Sequence, residues 1–220
     1  MDASFFDGIV SKATAIYPDI QIKYKNESTF MKILGKIMFF NPGFMTQYTT
    51  TLGATVYFPN RQFVELAPVT SAVVFLHELT HIYDEKRLTA PLYTTIYSLP
   101  QTLFLLAAPI LFFLVGWKFA LLSLLFLLPI PAYFRKNLEE RAYTMQLYVL
   151  NQLNVKYNYN IDLENKVADF ASQFKTSAYY WMWPFTSETD YFTDLVYKLK
   201  SGQKPNYEAD LINMIDKILS

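Results

Sequence analysis

The stretch His77-Glu78-Leu79-Thr80-His81 constrains this chain more than any other. On a helix, residues four positions apart lie on one face, so both imidazole rings can reach a single metal ion. Glu78 lies one position round the helix and points toward the water that such an ion holds. The spacing therefore predicts a zinc site with a general base beside it. Both histidines of the 220-residue chain belong to this motif, which strengthens the prediction.

The motif requires a helix, and the surrounding residues favour one. Pro68 suits the first turn of a helix, the basic pair that ends at Arg87 suits the last turn, and no Gly or Pro intervenes before Pro91. The apolar run Val73–Leu76 predicts that this helix is buried. The alternative is a buried helix whose histidines only satisfy hydrogen bonds in the core.

A catalytic zinc ion keeps three protein ligands and one open position for water. The chain has no third histidine and no cysteine, so we expect the third ligand to be a carboxylate. Asp84 follows the motif on the same helix and cannot wrap round to the ion, so we interpret it as a solvated helix end or a partner of His81. Glu139 and Glu140, on a predicted helix over 135–153, remain as the two candidates.

The other predicted elements are mostly helices, with a few strands before the motif. Alternating apolar residues predict a strand over 20–24, and β-forming residues around a central turn predict a hairpin of Ala54–Phe58 and Gln62–Leu66. The edge of this hairpin either holds an extended peptide or is purely structural. Helices are predicted over 2–15, 28–40, 163–174, 190–199 and 210–219.

A long apolar stretch follows the motif helix. Residues 88–117 carry no charge, and after Lys118 a second uncharged run covers 119–134. As a helix, the segment 98–117 would span roughly 30 Å, the thickness of a bilayer core. We therefore predict a transmembrane hairpin, and the basic residues on its flanks predict that the catalytic part faces the cytoplasm. The alternative is an apolar hairpin that packs against a partner subunit.

These elements predict a mainly α fold with a small β-hairpin or sheet, of the α+β zincin-like class, plus an inserted transmembrane helical hairpin. Residues 1–87 would form the N-terminal part of the zincin-like domain, 88–134 the membrane hairpin, and 135–220 the helical part that completes the catalytic domain. Lys plus Arg and Asp plus Glu each number 19, so the net charge is zero and no nucleic-acid binding is expected. The hydrophobic fraction of 52% is high and favours contact with a membrane.

The motif is followed, on a later predicted helix, by a glutamate with an alanine three positions after it. This arrangement resembles that of the gluzincin metallopeptidases. The placement of a membrane hairpin between these two elements is similar to that of the HtpX-type membrane-embedded peptidases. The resemblance covers 49–153, and Tyr143 stands where these families have an aspartate. The matching residues are His77, Glu78, His81, Glu139 and Ala142.

The resemblance implies Zn²⁺ held by His77, His81 and Glu139, with Glu78 as the general base. The implied function is that of a membrane-associated, zinc-dependent endopeptidase that hydrolyses protein or peptide substrates. The residues leave open which group donates to the oxyanion; the candidates are Tyr143, Tyr179, Tyr180 and Arg141. The alternative function is a non-catalytic membrane or assembly protein with a structural or relic metal site.

Overall fold

The computed structural model describes residues 3–128 and 130–220, which are mostly helical with one small sheet. The strands are β1 (Gln21–Tyr24), β2 (Thr50–Leu52) and β3 (Thr55–Phe58). The first helices are α1 (Ala3–Ile16), α2 (Thr29–Ile37), α3 (Arg61–Leu66), α4 (Pro68–Leu88), α5 (Ala90–Ser98), α6 (Leu103–Val115) and α7 (Trp117–Ala120). The later ones are α8 (Tyr133–Tyr157), α9 (Leu163–Gln173), α10 (Ser187–Lys200) and α11 (Ala209–Leu219).

The sheet has three strands in the order β1-β3-β2 and is mixed. β1 runs parallel to β3, and β2 pairs with β3 in an antiparallel hairpin that places Thr51 opposite Val56. Gly53, in the turn between β2 and β3, has a φ of 56°, which a residue without a side chain adopts easily. β2 is an edge strand, because no other described strand pairs with its outer side.

The predicted hairpin partner Gln62–Leu66 is wrong, because this segment forms helix α3. The side chain of Asn60 accepts a hydrogen bond of 2.7 Å from the backbone N–H of Phe63. Such an N-cap satisfies an amide that the first turn of a helix otherwise leaves unpaired. The capping interaction and the packing of α3 on α4 outweigh the β-forming tendency of the segment.

The motif helix is confirmed as α4, and it lies at the centre of the molecule. Pro68 occupies its first turn, and α1, α3, α5, α8 and α11 all contact it. Phe75, Leu76 and Leu79 are almost completely buried. α8 packs along α4, and Ala142, which is fully buried, has too small a side chain to hold the two helices apart.

A buried ion pair joins α4 to α8. Arg141 Nη2 lies 2.8 Å from Asp84 Oδ1, and Arg141 Nε lies 3.1 Å from Asp84 Oδ2. A third bond of 2.9 Å runs from Arg141 Nη1 to Glu208, the residue before α11. The interpretation of Asp84 as a solvated helix end is therefore wrong, since it is 3% exposed and both its oxygens bind Arg141. Its charge still favours the protonated form of His81, as expected of the alternative, a partner of His81.

We expect Arg141→Met to lower the free energy of unfolding by about 3 kcal/mol, because it leaves the Asp84 carboxylate buried without its partner. The matched control is Arg61→Met, whose partner Glu27 is 50% exposed. Its loss should cost much less, because a solvent-exposed pair contributes little to stability. Urea denaturation of both variants measures the two values, and equal costs would contradict the assignment of Arg141 to a buried pair.

The prediction of a transmembrane hairpin is wrong. Within residues 3–128 and 130–220, no helix is long and apolar enough to cross a membrane. The membrane location with a cytoplasmic catalytic side, which rested on that hairpin, is wrong with it. Proline and glycine explain the difference: Pro100 follows the end of α5, and Gly116, with a φ of 95°, ends α6. The 13 residues of α6 reach only about 20 Å.

Arg135, one of the basic residues on the flanks of the predicted hairpin, connects two helices. Arg135 is 9% exposed and extends into the protein. Its Nε donates to the carbonyl oxygen of Tyr97 at 2.8 Å, and its Nη2 donates to Gln101 Oε1 at 2.7 Å. Arg135 thereby connects the beginning of α8 to the end of α5.

Candidate metal centre

Three side chains from two helices converge beside the buried face of α4. His77 Nε2 lies 3.5 Å from Glu139 Oε2, and His81 Nε2 lies 3.5 Å from Glu139 Oε1. One ligand atom from each residue lies within 4.8 Å of the others. The three residues are between 1% and 6% exposed. This buried group could bind a metal ion.

The spacing of these atoms suits an ion better than it suits direct hydrogen bonds. A tetrahedral ion about 2.1 Å from each ligand atom places those atoms about 3.4 Å apart. Each histidine nitrogen lies 3.5 Å from a different oxygen of Glu139, a distance that is compatible with a shared ion and is long for an N–H···O bond. Glu139 Oε2 is buried and has no hydrogen-bond partner among the described residues, so it is available to a metal ion.

Glu140, the other candidate, lies outside this group. Its carboxylate forms an ion pair with Lys136 one turn earlier on α8, and Lys136 also lies 3.3 Å from Glu188. Residues 139 and 140 point to different sides of α8, and the packing of α8 on α4 turns only Glu139 toward the histidines.

Two tyrosines of α5 contact the ligand residues. The hydroxyl of Tyr97 donates to Glu139 Oε1 at 2.6 Å, and the hydroxyl of Tyr93 lies 3.0 Å from His81 Nδ1. A histidine that binds a metal through Nε2 carries its proton on Nδ1, and this N–H can donate a hydrogen bond to the oxygen of Tyr93. Sequence reasoning missed both residues because they fall in the run that was assigned to the membrane. Two hydroxyls four positions apart on one helix face were the available signal.

The ligand residues also influence each other's charge. Burial opposes the charged form of His81, but the Glu139 carboxylate raises its pKa to about 9. Burial likewise opposes ionisation of Glu139, yet the two imidazoles lower its pKa. Because a metal ion binds the neutral imidazole, protons compete with it for His81, and metal affinity should fall as the pH is lowered.

Glu78 lies at the junction between α4 and the sheet. It is 7% exposed, and its Oε2 accepts a hydrogen bond of 2.7 Å from the hydroxyl of Thr51 in β2. This bond orients the carboxylate and places it next to the edge strand. The sequence contained no signal for Thr51, since its role depends on how β2 packs against α4.

A cleft of about 660 Å³ opens onto the three ligand residues and Glu78. One wall is β2 and the segment before it, and the others come from α2, α4, α5, α8 and α9. Its volume is typical of sites that bind small molecules or short peptide segments. The cleft gives solutes access to residues that are otherwise buried.

Two of the four candidate oxyanion donors line this cleft. The ring of Tyr143 packs edge-on against His77 with 4.7 Å between centroids, and its hydroxyl lies 3.1 Å from that of Tyr179. Arg141 is engaged by Asp84, and the ring of Tyr180 packs against Phe40 outside the cleft lining. Burial raises the pKa of both Tyr143 and Tyr179, so each keeps its proton and can donate it in a hydrogen bond.

A fully buried lysine lies behind the cleft wall. Lys25 Nζ donates to the carbonyl oxygen of Phe44 at 2.6 Å and lies 3.9 Å from the centroid of the Phe44 ring. Burial lowers the pKa of Lys25 to about 8, although the nearby charge of Glu78 opposes this shift. Lys25 therefore holds the segment that contributes Phe44 to the cleft, and its charge is unfavourable for folding.

We expect Lys25→Met to change how stability depends on pH. Between a folded pKa of about 8 and the ordinary value of 10.5, the unfolded chain binds more protons than the folded protein, so wild-type stability rises with pH. The rise from Lys25 amounts to about 3 kcal/mol and should be missing from the variant. Denaturant unfolding at several pH values measures it. The ionisation of tyrosines affects both proteins equally, so it cancels when the stability of the variant is subtracted from that of wild type. If this difference in stability did not change with pH, the burial of the Lys25 charge would be contradicted.

The candidate metal centre is defined by the residues and contacts of this chain. The structure brings Glu139 and both histidines of the motif together. No protein-family model, no curated protein and no solved structure matches this chain.

Proposed function

We propose that this protein is a zinc-dependent endopeptidase of the gluzincin type. The observation that carries the proposal is the convergence of His77, His81 and Glu139 in one buried group, with the carboxylate of Glu78 beside it in an open cleft. A metal site that only stabilises the fold requires neither a general base nor a cleft that lets solutes reach the ion. Both features are expected of a hydrolase.

Zinc is the proposed ion because of the ligand set. Two imidazole nitrogens and one carboxylate oxygen, all within 4.8 Å of one another, match the ligand set of catalytic zinc sites that keep one position for water. Magnesium and calcium favour a larger number of ligands, nearly all of them oxygen atoms. When bound, zinc supplies a Lewis acid that polarises a carbonyl group and lowers the pKa of water.

The protein residues would then carry the proton transfers. Glu78 Oε2 is engaged by Thr51, so Oε1 accepts a proton from the attacking water and delivers it to the amine that leaves. The hydroxyls of Tyr143 and Tyr179 are the donors available to the negative oxygen of the tetrahedral state. Tyr143 packs against His77, and Tyr179 is bonded to Tyr143, so both hydroxyls belong to the surroundings of the proposed ligands.

The free edge of β2 is the proposed binding site for the substrate backbone. An extended peptide can add to this edge through main-chain hydrogen bonds, as in other examples of β-strand addition. Thr51 of β2 is bonded to Glu78, so a peptide on this edge passes directly beside the base. The side chain of Thr49, which precedes β2 and lines the cleft, has a buried hydroxyl without a partner among the described residues and can bond the same peptide.

The test uses the full-length protein with its natural sequence. Purified protein should contain one zinc ion per chain by elemental analysis and should cleave members of a mixed peptide library, detected by mass spectrometry. A zinc chelator should stop cleavage, and added zinc should restore it. Absence of zinc under replete conditions would contradict the metal assignment. Stoichiometric zinc without any cleavage would contradict the peptidase assignment alone.

A further inference from the structure

The cleft contains an unusual set of charges. Its lining includes four carboxylates, those of Glu78, Glu85, Glu139 and Asp169, and no lysine or arginine among the described residues. The metal site and the catalytic base account for Glu139 and Glu78. Asp169 lies 3.2 Å from Lys166 in a solvated ion pair. Glu85 is the carboxylate of the lining that has neither a proposed role nor a described hydrogen bond or ion pair.

The position of Glu85 relates it to the proposed substrate path. It follows His77 and His81 at a spacing of four, so it lies one helical turn beyond the ligands on the same face of α4. Its Oε1 lies 3.9 Å from the point where a Cβ on Gly53 would stand, which places it at the end of β2. A peptide on the edge of β2 would pass the metal centre at Thr51 and then reach Glu85.

The distance along α4 between His81 and Glu85 indicates which residue of the peptide would face Glu85. The four residues from His81 to Glu85 advance about 6 Å along the helix, and an extended peptide advances about 3.4 Å per residue. Glu85 is thus about two residues away from the bond beside the metal centre. A peptide that adds antiparallel to β2 has its N-terminal half at the Gly53 end, so Glu85 faces a residue before the cleaved bond.

We propose that Glu85 makes the cleft select peptides that carry lysine or arginine about two residues before the cleaved bond. Glu85 is half-buried and has no hydrogen bond or ion pair among the described residues. The charge of Lys86 acts on it from a distance, but Lys86 is paired with Asp19, so a basic substrate side chain would supply a direct partner. An acidic side chain at the same position meets a carboxylate with no compensating cation in the lining and is rejected. This inference rests on the proposed peptidase function.

The experiment compares peptides that differ only at this position, which is lysine, glutamine or glutamate. Wild-type protein should cleave the lysine peptide with a kcat/KM about tenfold above that of the glutamate peptide, as expected for a partly desolvated charge pair. Glu85→Gln should remove the preference, and Glu85→Lys should reverse it. The matched control is Asp169→Asn, which removes another carboxylate of the lining that already has a partner and should keep the preference.

A second measurement separates this inference from the proposed function. Fluorescence anisotropy of the same labelled peptides measures binding without turnover, and it should show the same order of affinities for wild type and its reversal in Glu85→Lys. Cleavage or binding that does not distinguish lysine from glutamate would overturn the inference and leave the peptidase assignment intact. If no peptide is cleaved, the peptidase assignment fails, and the binding order alone supports or overturns the role of Glu85.

Discussion

Glu78→Gln should retain zinc and lower kcat/KM for peptide cleavage by about 10³-fold, within the range seen when a general base is removed. The glutamine side chain has nearly the same shape, and its oxygen can still accept the hydrogen bond from Thr51. What it loses is the ability to take a proton from water and pass it to the leaving amine. The metal ligands are untouched, so the zinc content should stay at one ion per chain.

The matched control for this variant is Glu65→Gln, which makes the same change at an exposed position on α3 outside the cleft lining. Both variants should be assayed for zinc by elemental analysis and for cleavage of one fluorogenic peptide. Unchanged turnover in Glu78→Gln would contradict the proposed mechanism. Loss of zinc together with turnover would instead show that Glu78 shapes the metal site.

Glu139→Gln is expected to weaken zinc binding by more than about 100-fold. Removal of a residue that only hydrogen-bonds to a ligand typically costs about 10–100-fold, and the loss of a ligand should cost more. The change removes the one negative charge among the three ligands. A neutral amide is a much poorer ligand for a divalent cation than a carboxylate. The hydrogen bond from Tyr97 can still be accepted by the amide oxygen, so the fold around the site should persist.

Glu140→Gln provides the control, because it alters the neighbouring residue in the same way and costs only an ion pair with Lys136. Competition with a fluorescent chelator measures the zinc affinity of both variants, and circular dichroism verifies that both are folded. Equal zinc affinity in the two variants would contradict the assignment of Glu139. If Glu140→Gln lowered the zinc affinity more than Glu139→Gln, Glu140 would be assigned as the third ligand instead.

The structure changes what the apolar segment after the motif contributes to the site. As a membrane element it would have been a tether, remote from the chemistry. Instead its first part forms α5, whose Tyr93 and Tyr97 contact two of the three ligand residues. Arg135 binds the carbonyl of Tyr97 and so holds the end of α5 against α8. Hydrogen bonds from such outer residues orient metal ligands and keep their geometry.

Several features of this protein follow from its sequence alone, because they depend on interactions between near neighbours. The period of the α-helix places His77 and His81 on one face wherever the helix lies in the fold. Pro68 begins that helix by its fixed backbone angle. The absence of cysteine and of a third histidine leaves only carboxylates for the remaining ligand. Each of these statements needs no knowledge of distant residues.

Some local signals were present in the sequence and were outweighed in its interpretation. Asn60 caps α3, yet the β-forming residues of that segment suggested a strand. Pro100 and Gly116 divide the long apolar run into short helices, yet its hydrophobicity suggested a membrane span. In both cases the average composition of a segment misled, and single residues with special backbone geometry determined the structure.

Tertiary structure alone decided which groups meet. Glu139 and Glu140 are neighbours in sequence, and only the packing of α8 against α4 directs one to the histidines and the other to Lys136. The bonds from Thr51 to Glu78 and from Tyr97 to Glu139 join residues 27 and 42 positions apart. Such contacts arise from the packing of whole helices and strands, which no local pattern encodes. The motif therefore predicts two of the candidate metal ligands, and the fold determined which residues contact them.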